Sequence, residues 1–132
     1  KLGKRLIISV EDLMAKGKDL PKVSPTTSLS ETLIEISSKG LGVSLVIKNK
    51  SLMGIFTDGD LRRTLNSQSN PLDEKISKFM TKKTKTISQD SLAIDALEIM
   101  QANKIYTLAV VDRLNKPVGV IRMHDLIEAG LV

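Results

Sequence analysis

Leu29, Leu33 and Ile36 recur at helical spacing, and Ser28 with Glu31 three residues later supplies the polar start of a capping box. Gly40 and Gly42 interrupt that pattern where a C-terminal glycine belongs. Two short apolar runs follow, SLVI at 44–47 and LMGIF at 52–56, and the polar KNKS between them predicts a hairpin of buried strands. A second helix is expected from Thr57 or Asp58, turning Leu61 and Leu65 inward and Arg62 and Arg63 toward water or a ligand. NSQSNP at 66–71 reads as a linker, after which the order repeats. ISKFM at 76–80, a basic turn TKKTK at 81–85 and TIS at 86–88 precede a helix with Ala93, Leu97 and Met100 on one face. TLAVV at 107–111 and PVGVI at 117–121 supply the next strands, DRLNK the turn between them, and residues 125–129 a last helix before Gly130.

The repetition is audible in the residues themselves, since GIFTDGDL at 54–61 is answered by GVIRMHDL at 119–126. Residues 10–65 and 76–131 spell one α+β architecture twice, each copy a strand, a helix, two strands and a helix. A period of about 65 residues is too long for a solenoid unit and short for two independent domains, so the copies are expected to complete each other's core. A composite site made by two copies favours binding over catalysis. The chain divides accordingly into a lead at 1–9, a first copy at 10–65, a linker at 66–75 and a second copy at 76–132.

With 41% apolar and 27% charged residues the chain has the balance of a globular protein, while 2% aromatics leave the core to aliphatic side chains. A net charge of +5 attracts anions without forming a dense basic stripe. Phe56, Phe79 and Tyr106 are too few for a stacking platform, and no nucleic-acid-binding spacing occurs, so no nucleic-acid partner is expected. Cysteine is absent, which removes disulfides and thiolate chemistry and suits a reducing cytoplasm. No apolar run approaches the ~20 residues of a membrane helix, so no membrane partner is expected. His124 is the single histidine, and without a second ligand beside it no metal site is expected. Met53, Met100 and Met123 read as fillers of core gaps.

The candidate chemistry lies where strands run into helices. At Thr57, Asp58, Gly59 and Asp60 a helix start offers free amides and the positive end of the helix dipole, so a phosphate above Gly59 would meet backbone donors and the Thr57 hydroxyl. The Asp60 carboxylate accepts two hydrogen bonds at once, which suits the vicinal hydroxyls of a ribose. The same Thr-x-x-Asp is also a capping box, which needs no ligand. In the second copy Asp125 keeps the acid, but Arg122 replaces the threonine and is either a forked phosphate ligand or the partner of a surface acid. His124 beside it, and Tyr106 before its strand, are candidate ligand contacts whose ordinary alternatives are a surface imidazole and a packed ring. Gly42 occupies Tyr106's place in the first copy, leaving room instead of a ring. Lys82, Lys83 and Lys85 read as a solvated turn. No nucleophile, base and acid set, metal cluster or P-loop is present in the sequence, so no catalytic residue is assigned.

The paired pattern resembles a tandem cystathionine-beta-synthase (CBS) domain pair, or Bateman module. The resemblance rests on the Val10 to Met14 and Ile76 to Met80 openings, the V-S-P and I-S-Q starts, and the G-h-h-T-x-x-D close. It covers nearly the whole chain and implies a β-α-β-β-α fold in each copy, packed as one pseudo-twofold module whose clefts bind adenine nucleotides or related ligands. On that resemblance Ser24 joins the ligand-contact candidates. GIFTDGDLRR at 54–63, MHDLIEAGLV at 123–132, KGLGV at 39–43 and LGKRL at 2–6 resemble more narrowly the C-terminal part of arabinose 5-phosphate isomerases. In that family a sugar-isomerase (SIS) domain precedes the CBS pair and serves lipopolysaccharide synthesis. The resemblance implies that residues 1–9 are the tail of a junction to an upstream SIS domain, and that the aldose-ketose isomerase chemistry belongs there. It implies a cytoplasmic homo-oligomer whose CBS pair binds an adenine or cytidine nucleotide, or a nucleotide-sugar, as a regulator, with no required cofactor. The alternatives are a purely structural dimerisation module and a CBS sensor from another host.

Overall fold

The computed structural model describes residues 7–132, so the LGKRL segment and most of the expected junction lie outside the described residues. The elements in chain order are α1 (Val10–Leu13), β1 (Ala15–Lys16), a 3-10 turn (Gly17–Asp19), β2 (Lys22–Val23), α2 (Leu29–Lys39), β3 (Val43–Lys48), β4 (Ser51–Thr57) and α3 (Asp58–Ser67). A second 3-10 turn (Ile76–Lys78) leads to β5 (Thr86–Ser88), α4 (Ala93–Asn103), β6 (Thr107–Val111), β7 (Pro117–Arg122) and α5 (Met123–Glu128). The β-α-β-β-α order expected of each copy is therefore present twice.

Two compact units result, and their borders are not those of the repeats. One comprises residues 18–84, the other residues 85–132 together with residues 7–17. The opening of each repeat has thus changed places: residues 10–16 belong to the unit of the second copy, and residues 76–84 to the unit of the first.

In the 18–84 unit the sheet order is β2-β3-β4, with β2 parallel to β3 across the α2 crossover and β3 antiparallel to β4. Its core is Leu29, Ile36, Val46, Phe56 and Ile76, with Phe79 and Met80 packed against it. Ser28 caps α2 by accepting the Glu31 amide at 3.1 Å, but the Glu31 carboxylate receives the Ser28 hydroxyl and not its amide, so the box is half formed. Gly40 closes the helix at φ 72, the left-handed conformation that glycine adopts without a Cβ penalty. Asn49 and Lys50 turn the hairpin with φ of 51 and 65, both left-handed as a tight two-residue turn between twisted strands requires.

Glu35 joins α2 to the sheet. It accepts the Lys39 ammonium at 2.9 Å and the Lys22 amide at 3.1 Å. The Lys39 hydrogen bond holds this carboxyl below its ordinary value of 4.5, against partial burial that pushes it up, with the Lys22 amide assisting. A folded-state value below the unfolded one stabilises the fold above the ordinary value and is lost as pH falls through the depressed one. In chemical denaturation, wild type is therefore expected to exceed Glu35→Gln in stability at neutral pH, the gap closing as pH drops below about 4.5. A gap independent of pH contradicts this role.

In the other unit the order is β1-β7-β6-β5. Val10, Met14, Ile87, Ala93, Ala96, Leu97, Met100, Leu108, Val110, Ile121 and Leu126 form its core. The Ser9 hydroxyl and the Asp12 carboxylate close a full capping box on α1, a Ser-x-x-Asp signal present in the sequence.

Each hairpin carries a bulge immediately before a glycine. Val46 pairs with Gly54 and Ile47 with Leu52, so Met53 has no partner, and in the same way Val118 falls between Gly119 and Pro117. Met53 therefore does not fill a core gap as expected; it is 38% exposed because the bulge turns it outward. Met100 is buried and Met123 packs against the core. The glycine after each bulge makes room for the exchanged segment. A Cβ on Gly54 would stand 2.6 Å from the Thr81 carbonyl and 2.8 Å from Met80 Sδ, and one on Gly119 would stand 2.5 Å from Met14 Sδ and 3.0 Å from the Ala15 carbonyl. Leu65 is a second correction. Asp60 and Thr64, one turn apart, form the buried stripe of α3 with Leu61 at its flank, and Leu65 is left 55% exposed.

Candidate functional site

The site at the start of α3 is built by three segments of the 18–84 unit. Thr57 ends β4 beside Val43, and its hydroxyl accepts the Asp60 amide at 3.3 Å while Asp60 Oδ2 accepts the Thr57 amide at 2.9 Å. The capping box expected from the four residues is complete. Gly42, at φ 70, donates no side chain but offers its carbonyl to the Asp58 amide at 3.3 Å, and the Asp58 carboxylate lies 3.0 Å from where a Cβ on Gly42 would stand. Gly59 keeps the first turn open, since its nearest neighbours around a Cβ position are Thr57 Oγ1 at 3.6 Å and the Arg63 guanidinium at 3.7 Å.

Asp60 is the centre of this arrangement. Only 5% exposed, it also accepts the Thr57 hydroxyl at 3.2 Å on Oδ2, and on Oδ1 the Arg63 guanidinium at 2.5 Å and the Thr81 hydroxyl at 3.0 Å. Two oxygens thus serve four donors. Arg63 is 72% exposed, so its charge reaches Asp60 from the solvent side, where such a pair is worth at most about 1 kcal/mol. Thr81 comes from the exchanged segment and was not among the residues singled out from the sequence. Its one sequence signal is its position, immediately after ISKFM, where the first repeat has Ala15 after VEDLM.

The equivalent place in the other unit keeps the backbone and changes the chemistry. The Tyr106 carbonyl accepts the Met123 amide at 2.8 Å, as Gly42 does for Asp58. Asp125 Oδ2 accepts the Arg122 amide at 2.8 Å, and its Oδ1 takes the Arg122 guanidinium at 2.9 Å. Arg122 thus pairs with an acid, and the acid is Asp125 itself. The Tyr106 ring is 70% exposed, so it is not the packed ring that half-buried tyrosines usually provide. His124 lies on the surface, 2.7 Å from Glu128 one turn along. Ser24 is placed apart: its amide and hydroxyl bond to Thr26 and Thr27, and the parallel register sets Val23 against Val46 while Thr57 sits against Val43. That offset of three or more residues is about 10 Å along the sheet, and Ser24 extends it.

The sequence profile of the CBS domain family matches residues 10–67 and 76–131. This chain belongs to the CBS domain family. Over 130 residues, 98% of the chain, the pair is 47% identical to the arabinose 5-phosphate isomerase KdsD of Francisella tularensis. It spans 40% of the length of that relative. Among solved structures, the CBS domain pair of protein MJ0100, in complex with 5-methylthioadenosine and S-adenosyl-L-methionine, is similar at a TM-score of 0.82 and 20% identity, with 92% of this chain and 94% of that one covered. CBSX2 in complex with AMP is similar at a TM-score of 0.78 and 24% identity, with 94% and 96% covered. Both likenesses concern the fold. Among the described residues, no helix of the CBS pair is long and apolar enough to cross a membrane.

Proposed function

We propose that this CBS pair is the regulatory, nucleotide-sensing part of an arabinose 5-phosphate isomerase, with the Asp60 site as its principal ligand contact. The observation that carries the proposal is the 47% identity over nearly the whole chain to such an isomerase, most of which lies outside the match. The isomerisation itself then belongs to an SIS domain preceding the pair, in a cytoplasmic homo-oligomer. The ligand is an adenine nucleotide or a cytidine nucleotide-sugar such as the activated pathway product. AMP and S-adenosyl-L-methionine in the structural neighbours favour an adenosine moiety. Thr57 and Gly59 receive the phosphate at the helix start, and Asp60 receives the sugar hydroxyls. Asp58 and Gly42 shape the rim. In the second unit Arg122, Asp125, His124 and Tyr106 form a divergent site, its acid already occupied by a forked cation.

A structural reading is favoured by one observation of its own: the complete capping box and four donors on Asp60 account for the motif without a ligand. Calorimetric titration of AMP, ATP, CMP and the CMP-linked form of deoxy-manno-octulosonate, the lipopolysaccharide sugar made from arabinose 5-phosphate, into the full-length protein separates the two. The sensor reading expects one of them to bind and to change isomerase turnover, because a ligand regulates only by distinguishing two arrangements of the protein. Four silent titrations leave the scaffold.

A further inference from the structure

We infer that the Thr81 hydroxyl is a ligand-sensitive latch between Asp60 and the segment through which the chain leaves the 18–84 unit; the inference rests on the Asp60 reading above. Thr81 is held at three points. Its amide donates to the Ile55 carbonyl at 2.8 Å and its carbonyl accepts the Ile55 amide at 3.0 Å, a single antiparallel bridge on β4. Its hydroxyl donates to Asp60 Oδ1 at 3.0 Å. Behind it Ile76 is buried and Phe79 and Met80 pack on the core; ahead of it Lys82 and Lys83 are exposed and the unit ends at Thr84. Thr81 is therefore the last residue before that border shown anchored both to the sheet and to the helix cap.

The acid that holds Thr81 has no unused capacity. A carboxylate oxygen accepts about two hydrogen bonds, and Oδ2 is taken by Thr57 while Oδ1 is taken by Arg63 and Thr81. With the Thr57 hydroxyl turned to the phosphate, Oδ2 has room for one sugar hydroxyl, and a diol that donates to both oxygens of Asp60 must displace a donor from Oδ1. Arg63, on the solvent side, leaves without disturbing the backbone; Thr81 leaves only by loosening its hold on the exchanged segment. The other unit lacks the device. There Ala15 pairs with Val120 on the sheet at the position that Thr81 takes with Ile55, its methyl group cannot donate, and Asp125 is held by Arg122 instead. Occupancy of the Asp60 site thus reports to the segment after Thr81, and occupancy of the Asp125 site has no corresponding lever.

Hydrogen exchange at the Ile55 and Thr81 amides reads the latch with and without ligand, in the full-length protein. Without ligand, Thr81→Val keeps the side-chain shape and removes the donor, and is expected to speed exchange at both amides about fivefold, whereas Thr81→Ser restores protection. With AMP as the probe, wild type is expected to show the same acceleration on saturation, and Thr81→Val to bind AMP several-fold more tightly because a competitor is gone. Unchanged exchange in Thr81→Val overturns the latch whatever AMP does. Saturation by AMP that leaves both amides protected overturns its link to the ligand. A silent titration for both proteins overturns that link and the adenine-nucleotide reading together, while the ligand-free comparison still decides the latch.

Discussion

Gly54→Ala is expected to lower stability by about 2–3 kcal/mol, or the thermal midpoint by about 10 °C, the larger of the two glycine effects in this fold. The added methyl would meet the Thr81 carbonyl at 2.6 Å, a backbone atom that no side-chain rotation can move. Relief requires the exchanged segment to lift from β4, which opens the Ile55 bridge and withdraws the packing of Met80. At Gly119 the nearest atom is the Met14 thioether at 2.5 Å, the end of a flexible side chain, with the Ala15 carbonyl next at 3.0 Å. Gly119→Ala is accordingly expected to cost less, and its cost to shrink in a Met14→Ala background, whereas the cost of Gly54→Ala stays nearly the same in a Met80→Ala background. Gly59→Ala serves as the control, because its methyl would find only ordinary contacts at 3.6 Å and beyond. Thermal unfolding followed by circular dichroism measures all five; equal midpoints for Gly54→Ala and Gly59→Ala contradict the close approach.

Asp60→Ala is expected to cost about 2 kcal/mol without any ligand, and to weaken nucleotide binding at least tenfold. The stability loss comes from the Thr57 amide and the Thr81 hydroxyl, both deprived of their acceptor, and from the lost cap on a ten-residue helix. The Arg63 pair adds little, since its guanidinium stays hydrated. Asp125→Ala is expected to cost less, because α5 has six residues and the freed Arg122 is long enough to find water. Urea denaturation and calorimetry on the same samples keep the two roles apart. A pure cap loses stability on Asp60→Ala and binds no nucleotide before or after it; a ligand acid loses both.

Much of this was legible along the chain because it is local. Ser28, Gly40, the KNKS turn and the Thr57 to Asp60 box each act within a few residues, so spacing alone reveals them. What depended on distant partners was not. Met53 has the residue type of a core filler, yet the bulge that exposes it is a matter of register between two strands. Leu65 continues the apolar spacing of Leu61, but the core ends before it, and a polar pair, Asp60 and Thr64, takes the inner face. Tyr106 keeps its backbone place while its ring stays outside. At the site, the acid and its cap were readable, and Thr81 was not, because twenty-one positions separate it from Asp60 and only the exchange of segments brings it there.

That exchange has a consequence for how such a protein arises and divides. The length of sequence that is duplicated is not the length that folds: residues 18–84 take their last turn from the second repeat, and residues 85–132 take their first from the first. One repeat by itself carries an apolar opening with no sheet of its own to cover and a sheet glycine with nothing seated on it. No single repeat holds all the pieces of one unit, so a cut at the linker yields two halves that each hold a piece of the other.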